Sequence, residues 1–211
     1  MRRPLARAYE PVNPDELERV ESELSKLSQQ LARRLGVRVY IDKGLKYVVI
    51  EPLSAQGAAN VLRARDVVRA ISIGFSAADA SSLLDEDLVL VTVDVAQAVG
   101  GKENHLRRVM GRIIGEDGRA KRSIEQITGT RIVVNDKRGL VGIIGDYERA
   151  LIAKHGIDLL VEGKMHGTVY RILESMMRDL KRREFTELWF SPGGRSGARR
   201  GASGGEESPK P

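Results

Sequence analysis

Apolar residues recur at intervals of three and four through Leu17, Val20, Leu24, Leu27, Leu31 and Leu35. That spacing draws one stripe along a helix. Asn13 and Pro14 suit an N-cap and a first helical turn. The pattern therefore predicts one helix, fused or only slightly kinked, from about Pro14 to Leu35. A later stretch repeats the arrangement with an interruption: a helix, a turn bracketed by Gly115 and Gly118, and the helix "RAKRSIEQIT", which ends before Gly129, a residue type suited to the position past a helix C-terminus. "RIVVN" and "LVGII" follow as β-rich runs around "DKRG", a hairpin signal. "DYERALIAKHGIDLLVEG" returns to helical spacing through Ala150, Ala153, Ile157 and Leu160, and "DLVLVTVDV" upstream reads as a strand.

The two regions align. A shift of 93 residues places Leu31 on Ile124, Gly36 on Gly129, Arg38 on Arg131, Val39 on Ile132, Ile41 on Val134, Val48 on Val141 and Ile50 on Ile143. Farther on, a shift of 89 places Ala64 on Ala153 and Gly74 on Gly163, so the first copy has a loop four residues longer. Two copies of one module explain this better than one large domain. Each copy runs strand, helix, helix, strand, strand, helix, and three strands with helices on one face make an α+β layer. The expected segments are a first module over 1–75, a second over 76–164, a C-terminal helix over 165–190 and a disordered tail over 191–211. "FSAADASSLL" is a short helix joining the copies. "GTVYRILESMMRDLKRRE" carries Val169, Ile172, Leu173, Met176 and Leu180 on one face, and its basic end (Arg178, Lys181, Arg182, Arg183) suits the negative end of a helix dipole. The tail has no aliphatic residue larger than Ala, too little to offset its ordering entropy.

Charge sharpens the picture. The 211 residues carry a formal net charge of +6, unevenly spread. From His105 to Arg138 there are nine Lys/Arg and four Asp/Glu; from Pro14 to Lys46 there are seven and six. Clustered positive charge is the footprint of a polyanion partner, or simply a solvated basic face. The chain has no cysteine, which excludes disulfides and thiolate chemistry. Its N-terminus has no apolar run of the signal-peptide kind, and no stretch approaches the ~20 apolar residues of a membrane span. The expectation is a soluble cytoplasmic protein.

The residues around the glycine turn carry a resemblance. "RIIGEDGRAKRSIEQITGTRIVV" is similar to a KH domain: an Ile-Ile-Gly-x-x-Gly turn, Ile124 six residues after the second glycine, then Thr-Gly and a strand. Across roughly residues 8 to 185, the two modules, the segment "RARDVVRAISIGFSAADASSLL" and "GKMHGTVYRIL" resemble the partner-of-Nob family of small-ribosomal-subunit assembly factors, archaeal in type. The resemblance implies tandem type I KH-like modules, the first lacking the Gly-x-x-Gly turn, since Ser22 to Ser25 stand in its place. It also implies an RNA site in the second module formed by Arg112, Ile113, Ile114, Gly115, Glu116, Asp117, Gly118, Arg119, Lys121, Arg122, Arg131 and Ile132. Ile124 and Val134 lie at or beneath the groove, and packing into the core explains any of these apolar residues at least as well as contact with bases. Glycines let a backbone approach closely, and a helix N-terminus offers N–H groups to a phosphate. Such a turn clamps about four nucleotides of a single strand. This chain departs from the usual motif at Lys121, where an apolar residue is common, and at Glu116-Asp117, where a base is common. The acids then lower the affinity, while backbone and flanking bases hold the phosphate.

By the same resemblance, the partners are single-stranded small-subunit rRNA near its 3′ end, a Nob-type endonuclease that matures that end, and other pre-ribosomal proteins. No catalytic residue, metal or cofactor is expected. There is no P-loop, and His105, His155 and His166 lack ligand spacing. From Ser76 to Asp146 there is no Phe, Tyr or Trp, which argues against an aromatic stacking platform in the second module. The competing reading is a protein-docking scaffold whose KH folds bind little RNA.

Overall fold

The computed structural model describes residues 7–190, so the expected tail lies outside the described residues. The first module contains β1 (Ala8–Pro11), α1 (Leu17–Gln30), β2 (Val37–Asp42), β3 (Tyr47–Pro52), α2 (Ala55–Ala59) and α3 (Val61–Ile73). A 3-10 turn over Pro14–Glu16 leads into α1, and a π turn over Leu31–Leu35 continues it. The fused helix is thus present, with Pro14 in its first turn and the Asn13 side chain accepting the Asp15 N–H at 3.3 Å. Val20, Leu24, Leu27, Leu31 and Leu35 are all buried along its inner face. Nothing breaks it at Ser22–Ser25, where the Ser25 hydroxyl donates to the Ser22 carbonyl one turn back (2.7 Å). It stops at Gly36, whose φ of 66° is left-handed.

A short helix, α4 (Ala77–Ser81), bridges to the second module, which contains β4 (Leu88–Asp94), α5 (Val95–Ala98), α6 (Glu103–Ile114), α7 (Arg119–Thr128), β5 (Arg131–Asn135), β6 (Leu140–Asp146) and α8 (Tyr147–Val161). Both sheets are antiparallel, with orders β1-β3-β2 and β4-β6-β5. The repeat holds down to register: Val39 faces Ile50 in the first sheet, and Ile132 faces Ile143 in the second. The four extra residues of the first copy are spent on α2. There Gly57 sits so close to the chain crossing it that a Cβ would lie 2.1 Å from the Gly36 carbonyl oxygen.

The second sheet departs from the one-sided layer the pattern predicts. One face carries its own helices; the other packs on the end of α3. At Gly142 an added Cβ would lie 2.7 Å from the Phe75 ring and 3.2 Å from the Ile73 side chain. A buried amide pins this seam: Asn135 Nδ2 donates to the Ile73 carbonyl and to Glu16 Oε1, both at 2.9 Å. Ile144 accordingly packs among first-module side chains, with Leu90 and Val133 against the same cluster. One compact unit runs through both modules to Met177, and a second begins at Arg178.

The last helix, α9 (His166–Phe190), buries Val169, Leu173 and Met177 in the first unit. It runs past "GTVYRILESMMRDLKRRE" to Phe190. Arg178, Lys181, Arg182 and Arg183 therefore sit well inside it, with no basic residue in its last turn. A helix dipole acts within the last turn only, so it does not account for these cations.

Candidate nucleic-acid interface

Helix α6 ends where Gly115 takes φ 73° and ψ 173°, a backbone that side chains disfavour. A Cβ at Gly115 would collide with the Ala120 backbone nitrogen at 2.6 Å, so only glycine lets the chain double back. Gly118 follows at φ 75° and its N–H closes the turn on the Gly115 carbonyl at 3.1 Å. Between them, Asp117 is also left-handed, at φ 51°. Aspartate is one of the few non-glycine residues that visit this region readily. Asp117 therefore has a conformational reason to be there that the motif alone does not reveal.

Helix α7 starts on Gly118 with no side chain capping it, which leaves its positive end to solvent or to a ligand anion. Arg119 and Arg122 are exposed beside it. The Arg122 guanidinium lies over the turn, 3.2 Å from where a Gly118 Cβ would stand. Lys121 is half-buried and pairs with Glu125 (3.6 Å), whose other role is to accept the Ile132 N–H of edge strand β5 at 2.7 Å. Arg131 is exposed and approaches Asp79 of α4 at 4.0 Å.

Two of the proposed contact residues turn inward. Ile113 and Ile132 are 0% and 1% exposed, as is Ile124 at 0%, so they form the floor rather than offer a surface. Arg112 is half-buried and committed: its Nη2 donates to the Lys164 carbonyl at 2.6 Å, while its own carbonyl accepts a hydrogen bond from His166 Nε2 at 2.9 Å. It ties α6 to the start of α9. Ile114 and Val134 remain half-exposed.

Beyond the turn, a cleft of about 380 Å³ runs between α6 and the β5–β6 hairpin turn, lined by Leu106, Met110, Gly111, Ile114, Asp136 and Lys137 among others. Open space stands over Gly111, where an added Cβ would meet nothing within 4 Å. The sequence motif does not indicate Leu106 or Lys137; the helical spacing of Leu106, Met110, Ile113 and Ile114 is the signal that points to the α6 wall. Among the described residues no three His, Asp or Glu side chains could hold a metal ion together, and no helix is long and apolar enough to cross a membrane.

A glycine turn between two helices, laid over an antiparallel sheet of order first-third-second strand, defines the second module as a KH domain. The comparisons agree. Residues 89–178 match the eukaryotic type KH-domain (KH-domain type I). A KH domain-containing protein of Methanocaldococcus jannaschii is 32% identical over 77% of this chain and 70% of its own length. The pre-rRNA-processing protein pno1 of Aspergillus oryzae is 30% identical over 82% of this chain and 67% of its length. The crystal structure of an a/eIF2alpha–aDim2p–rRNA complex from Pyrococcus horikoshii contains a chain 31% identical, with a TM-score of 0.72, covering 82% of this chain and 95% of that one. The chain belongs to the PNO1/Dim2 family of KH-domain ribosome assembly factors.

Proposed function

We propose that this protein is an RNA-binding assembly factor of the small ribosomal subunit. Its second module holds single-stranded pre-rRNA near the 3′ end and assists maturation there by a Nob-type endonuclease, in the cytoplasm and among other pre-ribosomal proteins. The observation that carries the reading is the turn itself: an uncapped α7 N-terminus reached through two left-handed glycines, with Arg119 and Arg122 exposed beside it. Glu116 and Asp117 are exposed at its tip. They moderate the attraction without occupying the amide side, which suits a factor that must leave its RNA. The names of the relatives, a pre-rRNA-processing protein and a chain in an rRNA complex, support the substrate class. The first module offers no such turn and serves as a brace for the second sheet. Crosslinking the full chain to pre-rRNA and mapping the contacted nucleotides tests the proposal. Contacts at Gly115–Arg122 to unpaired nucleotides near the 3′ end are expected; contacts confined to duplex or to the first module would overturn it.

A further inference from the structure

The basic run of α9 lacks the dipole explanation, and its geometry points elsewhere. At about 100° per residue, Arg178, Lys181, Arg182, Phe185 and Trp189 fall within roughly 100° of arc on one side of the helix. Asp179, Glu184 and Glu187 lie outside that arc. Leu180, on the opposite side, is 1% exposed, so the stripe lies on the exposed side of the helix. Its three cations are exposed, and its two aromatics are 61% and 66% exposed. The rings of Phe185 and Trp189 stand together, with centroids 5.8 Å apart and planes tilted by 42°. Keeping two large rings in water side by side is unusual for a helix that already has a buried face.

We propose that this stripe is a second single-stranded RNA site, in which Arg178, Lys181 and Arg182 take phosphates and Phe185 and Trp189 stack on bases. Charge favours RNA over a protein groove: from Arg178 to Trp189 the outward arc holds three cations and no acid, and the turns before it add Arg171 and Glu174, one charge of each sign, so the arc stays net positive, the footprint of a polyanion. Aromatic faces beside a basic track are what sequence-tolerant strand binding uses. The stripe also supplies what the surroundings of the glycine turn lack, since residues 76–146 contain no Phe, Tyr or Trp. The inference rests on the RNA-binding reading above, but on different residues.

Trp189 is the chain's one tryptophan, so its fluorescence reports this site alone. The test titrates the full chain with a fluorescein-labelled single-stranded RNA, following anisotropy for binding and tryptophan emission for stacking. An abasic strand of equal length is the control. Saturable quenching by RNA and little by the abasic strand are expected. Trp189→Ala should weaken binding by between about fivefold and a hundredfold, and Trp189→Phe should restore most of it. RNA binding seen by anisotropy with unchanged emission, or equal quenching by the abasic strand, overturns the stacking site and leaves the KH reading standing. In Gly118→Asp, quenching that survives with unaltered anisotropy would instead support the stripe and sink the KH turn.

Discussion

At equivalent places in the two modules, residues 22–25 and 115–118, one backbone continues and the other folds back. Ser-Glu-Leu-Ser keeps helical angles, and Leu24 drops into the core. Gly-Glu-Asp-Gly takes three left-handed residues and exposes a helix start. The surrounding strands share a register, so the difference is local and rests on the glycines. It shows how one fold yields both a binding module and a brace. The acids differ in the same sense. Glu116 hangs in solvent, whereas Glu23 is put to work: its Oε2 accepts the Ala77 N–H at 2.6 Å at the start of α4, and its Oε1 pairs with Lys26 at 2.5 Å.

The sharpest way to break the contrast is Gly118→Asp. An Asp side chain tolerates φ 75° better than most residues, but its Cβ would press on the Arg122 guanidinium at 3.2 Å and another acid joins the tip. RNA affinity should fall at least about tenfold, read by anisotropy, with the fold intact by circular dichroism. Replacing Arg119 and Arg122 by Ala together removes the flanking charge. With roughly three phosphate contacts at about 0.7 each, the slope of log K against log salt should drop from near −2 to near −0.7; titrations at several salt concentrations read it. Ser22→Gly with Ser25→Gly asks whether glycines alone make a turn. The expected result is a loss of about 1 kcal/mol in urea unfolding, from helix propensity, with no gain in RNA affinity, because Leu24 still anchors the helix. Glu116→Lys should tighten RNA binding by several fold, in line with the ~1 kcal/mol of a solvated unit-charge pair.

The smallest effect concerns pH. Hydrogen bonding to Lys26, and then to the Ala77 N–H, holds the Glu23 carboxyl below its ordinary value. A depressed carboxylate stabilises the fold above its unfolded pKa, and that stabilisation is lost as pH falls through the lower folded value. Glu23→Gln should therefore cost roughly 0.5 kcal/mol at neutral pH. Wild type and variant should converge as pH is lowered below about 4; urea midpoints across that range decide it.

Local pattern carried a good deal of this. The leucine stripe ran straight through Ser22–Ser25, and it predicted the fused helix because neither Ser nor Glu breaks one. The 93-residue shift anticipated the pairing of Ile132 with Ile143 as the counterpart of Val39 with Ile50. Chemistry read from residue type alone fared less well. Ile113 and Ile132 look like groove residues, but the stripes that place them near the site also bury them. Arg112 looks like a phosphate ligand, yet its partner is a carbonyl 52 residues away. The left-handed Asp117 and the seam between the modules were not legible at all. Asn135 meets Glu16 across 119 residues of chain, and no periodicity reports such a contact.

That seam limits how the duplicated halves could drift apart. Gly142 occupies the position of Val49 in the other copy, and the space its side chain would fill belongs to Phe75. A mutation enlarging residue 142, harmless in a free-standing module, would here push the halves apart. A truncated second half would present a bare apolar sheet. The duplication is thus no longer two portable parts. The copy that lost its glycine turn became indispensable by another route, as the lining of its sibling.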